Sequence, residues 1–150
     1  MADSTQFCTF RLGPLYLGIE VLRVQEVIRA QPMTRLPLAP HEISGLINLR
    51  GQIVTAIDLR ERFGLPPRDP DRPPMNVVVR SEDGAVSFLV DDIGDVIDTD
   101  PNAFERAPRT LQGEARELIR GVYKLPAELL LVLDCDRALE VVSAATGRSA

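Results

Sequence analysis

The sequence has one lysine, Lys124, one histidine, His41, two cysteines and no tryptophan. Each scarcity removes a class of function. Nucleic-acid binding needs clustered cations against the phosphates, but 22 acidic residues face 17 basic ones, the formal charge is -5, and the arginines are scattered. His41 lies between Pro40 and Glu42 in a turn-rich stretch, the setting of an exposed loop residue rather than a catalytic base. Cys8 and Cys135 stand far apart with no CxxC spacing and no neighbouring histidine, so two reduced, partly buried thiols are expected. No apolar run is long enough to span a bilayer, and the opening MADSTQF lacks the basic and apolar regions of a signal peptide, which predicts a cytoplasmic protein. A phosphate-cradling loop, a GxSxG elbow and an HExxH pair are also missing, so an enzyme would have to be built without its usual parts.

What is present suits one domain with a real core: 150 residues, 45% of them hydrophobic and 26% charged. Cys8, Phe10 and Leu12 alternate with polar residues, Gly13-Pro14 makes a turn, and Leu15, Leu17 and Ile19 alternate again, as in a half-buried hairpin. The period then changes. Val21, Val24, Val27 and Ile28 recur at helical spacing, which predicts a short amphipathic helix ended by Pro32. Residues 66–74 hold five prolines, a stiff loop that reads as a boundary. Beyond it, apolar residues 77–79 and 86–90 flank a turn at Asp83-Gly84, where a second barrel is expected to begin. Ile93, Val96 and Ile97 suggest a further strand, and residues 118–125 and 129–133 suggest two more. Asp134 is placed to cap a final helix, and a tail follows from Ala144. Residues 102–117 read either as a loop or as an irregular helical excursion. Many short strands separated by turns predict an all-β architecture with a few short helices.

The most informative stretch is residues 43–65, ISGLINLRGQIVTAIDLRERFGL. Two apolar runs meet at Arg50-Gly51, which predicts a tight hairpin with its positive φ on Gly51, a structural turn residue. Asp58 then caps a short helix, with Glu61 reaching back and Gly64 and Pro66-Pro67 ending it. Arg50 is the charged residue that this hairpin holds and presents. On sequence alone, Arg50 and Glu26 read as ordinary solvated charges.

Asp91, Asp92, Asp95, Asp98 and Asp100 form the constellation that could suggest a metal or catalysis. Their spacing does not fit a calcium loop, because Gly94 follows Asp91 by only three positions. Aspartates bounding a strand are expected as solvated turn residues. A small metal-dependent enzyme built on this cluster, or a barrel-type interaction module of an unrelated assembly, are the alternative readings.

The segment GLINLRGQIVTAIDLRERFG closely resembles the signature of the CheW-type chemosensory adaptor family. LYLGIEVLRVQEVI (residues 15–28), VSFLVDDIGDVI (86–97) and LIRGVYKLPAELLLVLD (118–134) are similar to later and earlier parts of that family, in the same order. The resemblance implies a CheW-like fold of two five-stranded SH3-like β-barrels packed on each other. The first would span approximately residues 15–75, and the second 76–143 plus the N-terminal strand, with 144–150 as a tail. It also implies a non-catalytic scaffold, without cofactor or metal, that couples the cytoplasmic tip of chemoreceptors (methyl-accepting chemotaxis proteins) to the regulatory domain of a CheA-type histidine kinase. Such a protein is recruited to membrane-associated receptor arrays through its partners. The matching positions for the receptor-binding groove are Val24, Glu26, Arg50 and Val96, and residues 33–43 fall on the kinase-facing side.

Overall fold

The computed structural model describes residues 5–82, 84–107, 111 and 113–145. Its strands, in chain order, are β1 (Thr5–Leu12), β2 (Leu15–Glu20), β3 (Val24–Ile28), β4 (Met33–Thr34), β5 (Ile43–Leu49), β6 (Gln52–Asp58), β7 (Met75–Ser81), β8 (Gly84–Val90), β9 (Asp92–Thr99), β10 (Phe104–Glu105), β11 (Ile119–Lys124) and β12 (Leu129–Leu133). Helices α1 (Leu59–Arg62), α2 (Glu114–Leu118) and α3 (Cys135–Ala145) are short, and Val21–Arg23 and Pro101–Ala103 form single 3-10 turns. The strands make two sheets, ordered β10-β11-β12-β2-β1-β9 and β3-β7-β8-β6-β5-β4. Each holds five longer strands and one of two residues, in keeping with the expected mostly-β fold.

The expected helix over residues 21–28 is a 3-10 turn followed by strand β3. The reason lies in β7, where Val77, Val78 and Val79 are all buried. A strand buried on both faces must pair along both edges, and β7 pairs with β8 on one side and β3 on the other. Val24, Val27 and Ile28 are β-branched and suit that role, so pairing overrides a helical spacing only two turns long.

The proline-rich loop does not separate the sheets. It leads from α1 into β7, which joins the same sheet as β5 and β6, and β8 lies parallel to β6 with Ile57 opposite Phe88. The chain passes between sheets at two other places: at Val21–Arg23, between β2 and β3, and at Asp91, the one residue between β8 and β9. One sheet therefore takes all its strands from residues 24–90, and the other takes β1 and β2 together with β9 to β12. The sheets do not follow the division drawn near residue 75 from the sequence, since β2 pairs with β1 and β12, and β7 and β8 pair with β3 and β6; a proline-rich segment reports a stiff loop and not which edge the next strand joins.

One buried cluster draws on both sheets. Phe10, Leu12, Leu17 and Ile19 of β1 and β2 meet Val77, Val79, Phe88 and Val90 of β7 and β8, with Leu133 of β12 and Ala138 of α3 closing over them. At about 1.5 to 3 kcal/mol for each large side chain fully buried, this shared core fastens the two sheets to each other. Smaller clusters, Phe7-Tyr123-Leu130-Val132 and Ile47-Leu49-Val54-Val78, belong to one sheet each. Asp134 accepts a hydrogen bond from the Arg137 amide at the start of α3, as its position suggested. Ser81 and Gly84 face each other across the β7–β8 turn, while Asp83 lies outside the described residues. Of the segment 102–117, α2 and β10 are described and residues 108–110 and 112 are not; of the expected tail, residues 144 and 145 belong to α3 and 146–150 lie outside the described residues.

Candidate functional site

The β5–β6 hairpin closes through two residues, with Leu49 opposite Gln52. Both turn residues have positive φ, Arg50 at 53° and Gly51 at 84°. The expectation placed this on Gly51 alone; with both φ values positive the turn is of the I′ kind, whose twist matches that of the strands. Asn48 offsets part of the strain by accepting the Gly51 amide on Oδ1 at 2.8 Å. A side chain at Gly51 would meet nothing within 4 Å, so glycine is required there by φ and not by space.

The turn aims Arg50 at β3. Its Nη1 and Nη2 donate to Glu26 Oε2 and Oε1 at 2.7 and 2.8 Å, a parallel two-bond fork. The pair is lopsided in exposure: the Arg50 side chain is 71% accessible and that of Glu26 only 20%. Arg50, by hydrogen bonding first and charge second, holds the Glu26 carboxyl below its ordinary value. An oriented guanidinium, half satisfied and facing solvent, is poised to take a second acceptor from a partner.

Val24 stands two residues before Glu26 on the same strand and packs partly against the shared core. Val96 lies on the other sheet, on its edge strand β9 opposite Cys8 of β1, and is 56% exposed. The structure thus joins Glu26 to Arg50 directly and places Val24 on the strand of Glu26, with Val96 on the other sheet. Exposed Leu22, Val27 and Ile53 lie on or beside the same strand and hairpin, and none of them was singled out for a partner from the sequence. A second apolar surface lies in the stretch 33–43: Leu36, Pro37, Leu38, Ile43 and Leu46 line a cleft of about 410 Å³, and Leu38 is fully exposed.

The acidic cluster disperses. Asp91 is not a solvated turn residue; its side chain is 16% exposed and held from three directions. Arg60 of α1 donates Nε to Oδ1 at 2.9 Å and Nη2 to Oδ2 at 2.6 Å, Arg68 of the proline-rich loop donates Nε to Oδ1 at 3.0 Å, and the Gly13 amide donates to Oδ2 at 2.7 Å. Burial alone would raise this carboxyl, yet Arg60, the Gly13 amide and Arg68 together bring it down to about 2. Asp92 pairs with Arg72 at 3.4 Å, and Asp100 caps the turn Pro101–Ala103. Among the described residues, no three His, Cys, Asp or Glu side chains are gathered as a metal would need. With Asp91 committed to arginines, the metal-enzyme reading loses its central residue.

Asp58 caps α1 as expected, accepting the Arg60 amide at 3.0 Å. Glu61 does not complete the box, because the Asp58 amide already donates to the Glu42 carbonyl at 2.8 Å, and Glu61 lies 3.6 Å from His41 instead. His41 is exposed. Cys8 and Cys135 are free thiols, and burial pushes Cys135 up to about 12, which makes it unreactive.

The family model of the CheW-like domain matches residues 6–143. The chain is 31% identical over 134 residues to the chemotaxis protein CheW of Klebsiella aerogenes, covering 89% of this chain and 81% of that one. Against the chemotaxis protein CheW of Treponema pallidum it is 30% identical over 136 residues, covering 88% and 80%. The crystal structure of scaffolding protein TtCheW from Thermoanaerobacter tengcongensis superposes with a TM-score of 0.79 at 27% identity, covering 88% of this chain and 90% of that one.

Proposed function

Since this chain belongs to the CheW-like family over nearly its whole length, we propose that it is a non-catalytic scaffold that couples chemoreceptors to a CheA-type histidine kinase in chemosensory signalling. Chemoreceptors and the kinase are its partners in general terms, and the pairing of residues to partners is our reading. The helical cytoplasmic tip of a receptor lies along the surface formed by Val24, Glu26, Arg50 and Val96, in the manner of a helix received by a partly apolar groove. The regulatory domain of the kinase takes the apolar cleft at Leu36, Leu38, Ile43 and Leu46. No helix of the described residues is long and apolar enough to cross a membrane. As a scaffold for receptors and kinase, the protein would act in the cytoplasm, brought to receptor arrays by its partners. The strand boundaries suggest two packed units, residues 24–90 and the remaining strands.

The observation that supports this best is the Glu26–Arg50 fork, a charge pair that spends a strained two-residue turn to present a guanidinium at the surface. The fold gains little from an exposed pair, so a use outside the chain accounts for the arrangement better. The test titrates a receptor cytoplasmic fragment against wild type, Arg50→Glu, Glu26→Arg and the charge-swapped double variant. Normal receptor binding and kinase activation by Arg50→Glu would remove the assignment. Binding restored by the swap would show that the two charges serve each other rather than the receptor.

A further inference from the structure

Strand β3 carries both Val24 and Glu26, and its ladder to β7 is irregular between them. Val24 faces Val79 and Glu26 faces Val78, so Gln25 is an extra residue, a β-bulge. Just before the bulge the ladder ends, because Val21–Arg23 turns as the chain arrives from the other sheet. Carbonyls left at such a break need other donors. Arg80, one residue past Val79 on β7, supplies them: its Nη1 donates to the Leu22 and Val24 carbonyls, both at 3.0 Å. In the reverse direction Arg23 Nη2 donates to the Arg80 carbonyl at 3.3 Å and to Asp136 Oδ1 of α3 at 3.2 Å. Two arginine side chains, each bonded to backbone beside the other, thus replace ladder bonds that the crossing removes.

The bulge matters because strand facing alternates. A slip of one residue sends every side chain of a strand to the opposite face, and β3 is an edge strand with only one neighbour to hold its register. Glu26 meets Arg50 only in the register observed. We propose that Arg80 is a positioning residue of the receptor-facing site: by holding the Leu22 and Val24 carbonyls it fixes the β3 bulge that turns Glu26 toward Arg50. This deepens the reading of Glu26 and Arg50 given above and rests on it for the receptor, though not for the geometry.

The test compares full-length Arg80→Met, which keeps the stem and loses the donors, with Arg80→Lys, which keeps a charge and can reach one carbonyl. The first readout is a carbon-detected NMR titration of the Glu26 carboxyl, with Arg50→Met as the reference for a Glu26 that has lost its partner. In Arg80→Met the Glu26 midpoint should move up toward that reference, and Arg80→Lys should recover part of the wild-type value. A merely structural role would not move that midpoint in a folded variant. The second readout is the affinity for the receptor fragment, expected to drop about three- to tenfold in Arg80→Met while affinity for the kinase regulatory domain holds. A wild-type Glu26 midpoint in folded Arg80→Met overturns the proposal whatever the receptor does. If Arg80→Met fails to fold, Arg80→Gln, which loses the charge and the reach, takes its place, and a wild-type midpoint there overturns the proposal equally. A shifted midpoint with receptor binding unchanged in both Arg80→Met and Arg50→Glu upholds the positioning role and sinks the receptor assignment instead.

Discussion

Two arginine–carboxylate forks in this molecule use the same bonds and differ in nearly everything else. Glu26–Arg50 joins an edge strand to a hairpin tip and leaves its guanidinium mostly in solvent. Asp91 with Arg60 and Arg68 sits at the passage between β8 and β9 with 11 to 17% of each side chain exposed, and ties the β1–β2 turn, α1 and the proline-rich loop to one carboxylate. The difference is where the loss falls when a partner is removed. Water can replace Glu26 for Arg50, but not readily Asp91 for two guanidinium groups largely shielded from solvent. One fork is expendable to the fold and available to a partner; the other holds a crossing together.

The sharpest way to break this comparison is Asp91→Asn, which keeps the shape and removes the charge. Leaving Arg60 and Arg68 without their common anion should cost about 2 to 4 kcal/mol in denaturant unfolding. A change below about 0.5 kcal/mol would place Asp91 with the exposed pairs. Next in size is Arg50→Glu, for which receptor affinity should fall about tenfold or more while the melting temperature stays within about 3 °C of wild type. Unfolding of this variant would mean that Arg50 is structural and that the two forks are alike.

Acid should separate them as well. The Asp91 carboxyl is held at about 2 in the folded chain against an ordinary value of 3.8, so the stability it contributes is complete above 3.8 and fades as pH falls from there through 2. After allowance for partial exposure this is roughly 1 kcal/mol. Unfolding free energies measured between pH 5 and 2 should show that acid loss in wild type and not in Asp91→Asn; equal slopes would contradict it. The smallest expected effect is Gly51→Ala at about 1 kcal/mol, from a Cβ in the left-handed region with no clash to add to it. An unchanged melting curve would show that the turn relaxes freely and does not hold Arg50 in place.

The hairpin was legible in the sequence because its chemistry is local. Asn48, Arg50-Gly51 and the Asp58 cap all act within three residues of their partners. The family signature lies over the same residues, although the resemblance also drew on residues 15–28, 86–97 and 118–134, and the fold class on short strands along the whole chain. Strand β3 was not legible, because its conformation is decided by β7 some fifty residues later, and two helical turns of apolar spacing could not reveal that. Asp91 was misread for the same reason: Gly13, Arg60 and Arg68 are distant in sequence, and nothing next to Asp91 distinguishes it from Asp92, which pairs only at the surface. Glu26 and Arg50, two of the positions the resemblance supplied, bond to each other in the structure, but the strand of Glu26 was taken for a helix, and Arg80, which braces that strand, carried no sequence signal at all.

The two sheets also differ in how the chain must be delivered to build them. Residues 24–90 form one sheet without interruption, so it can close as soon as that length has left the ribosome. The other takes β1 and β2 from the front of the chain, pairs β2 in parallel with β12 through Leu17 and Leu131, and adds β9 beside β1. An isolated β1–β2 hairpin is marginal in water, so the first strands wait, apolar face uncovered, until nearly the whole chain has been synthesised. Phe7, Phe10, Leu12, Leu17 and Ile19 are therefore the residues most in need of shelter during biosynthesis, although in the finished protein they are among the most deeply buried.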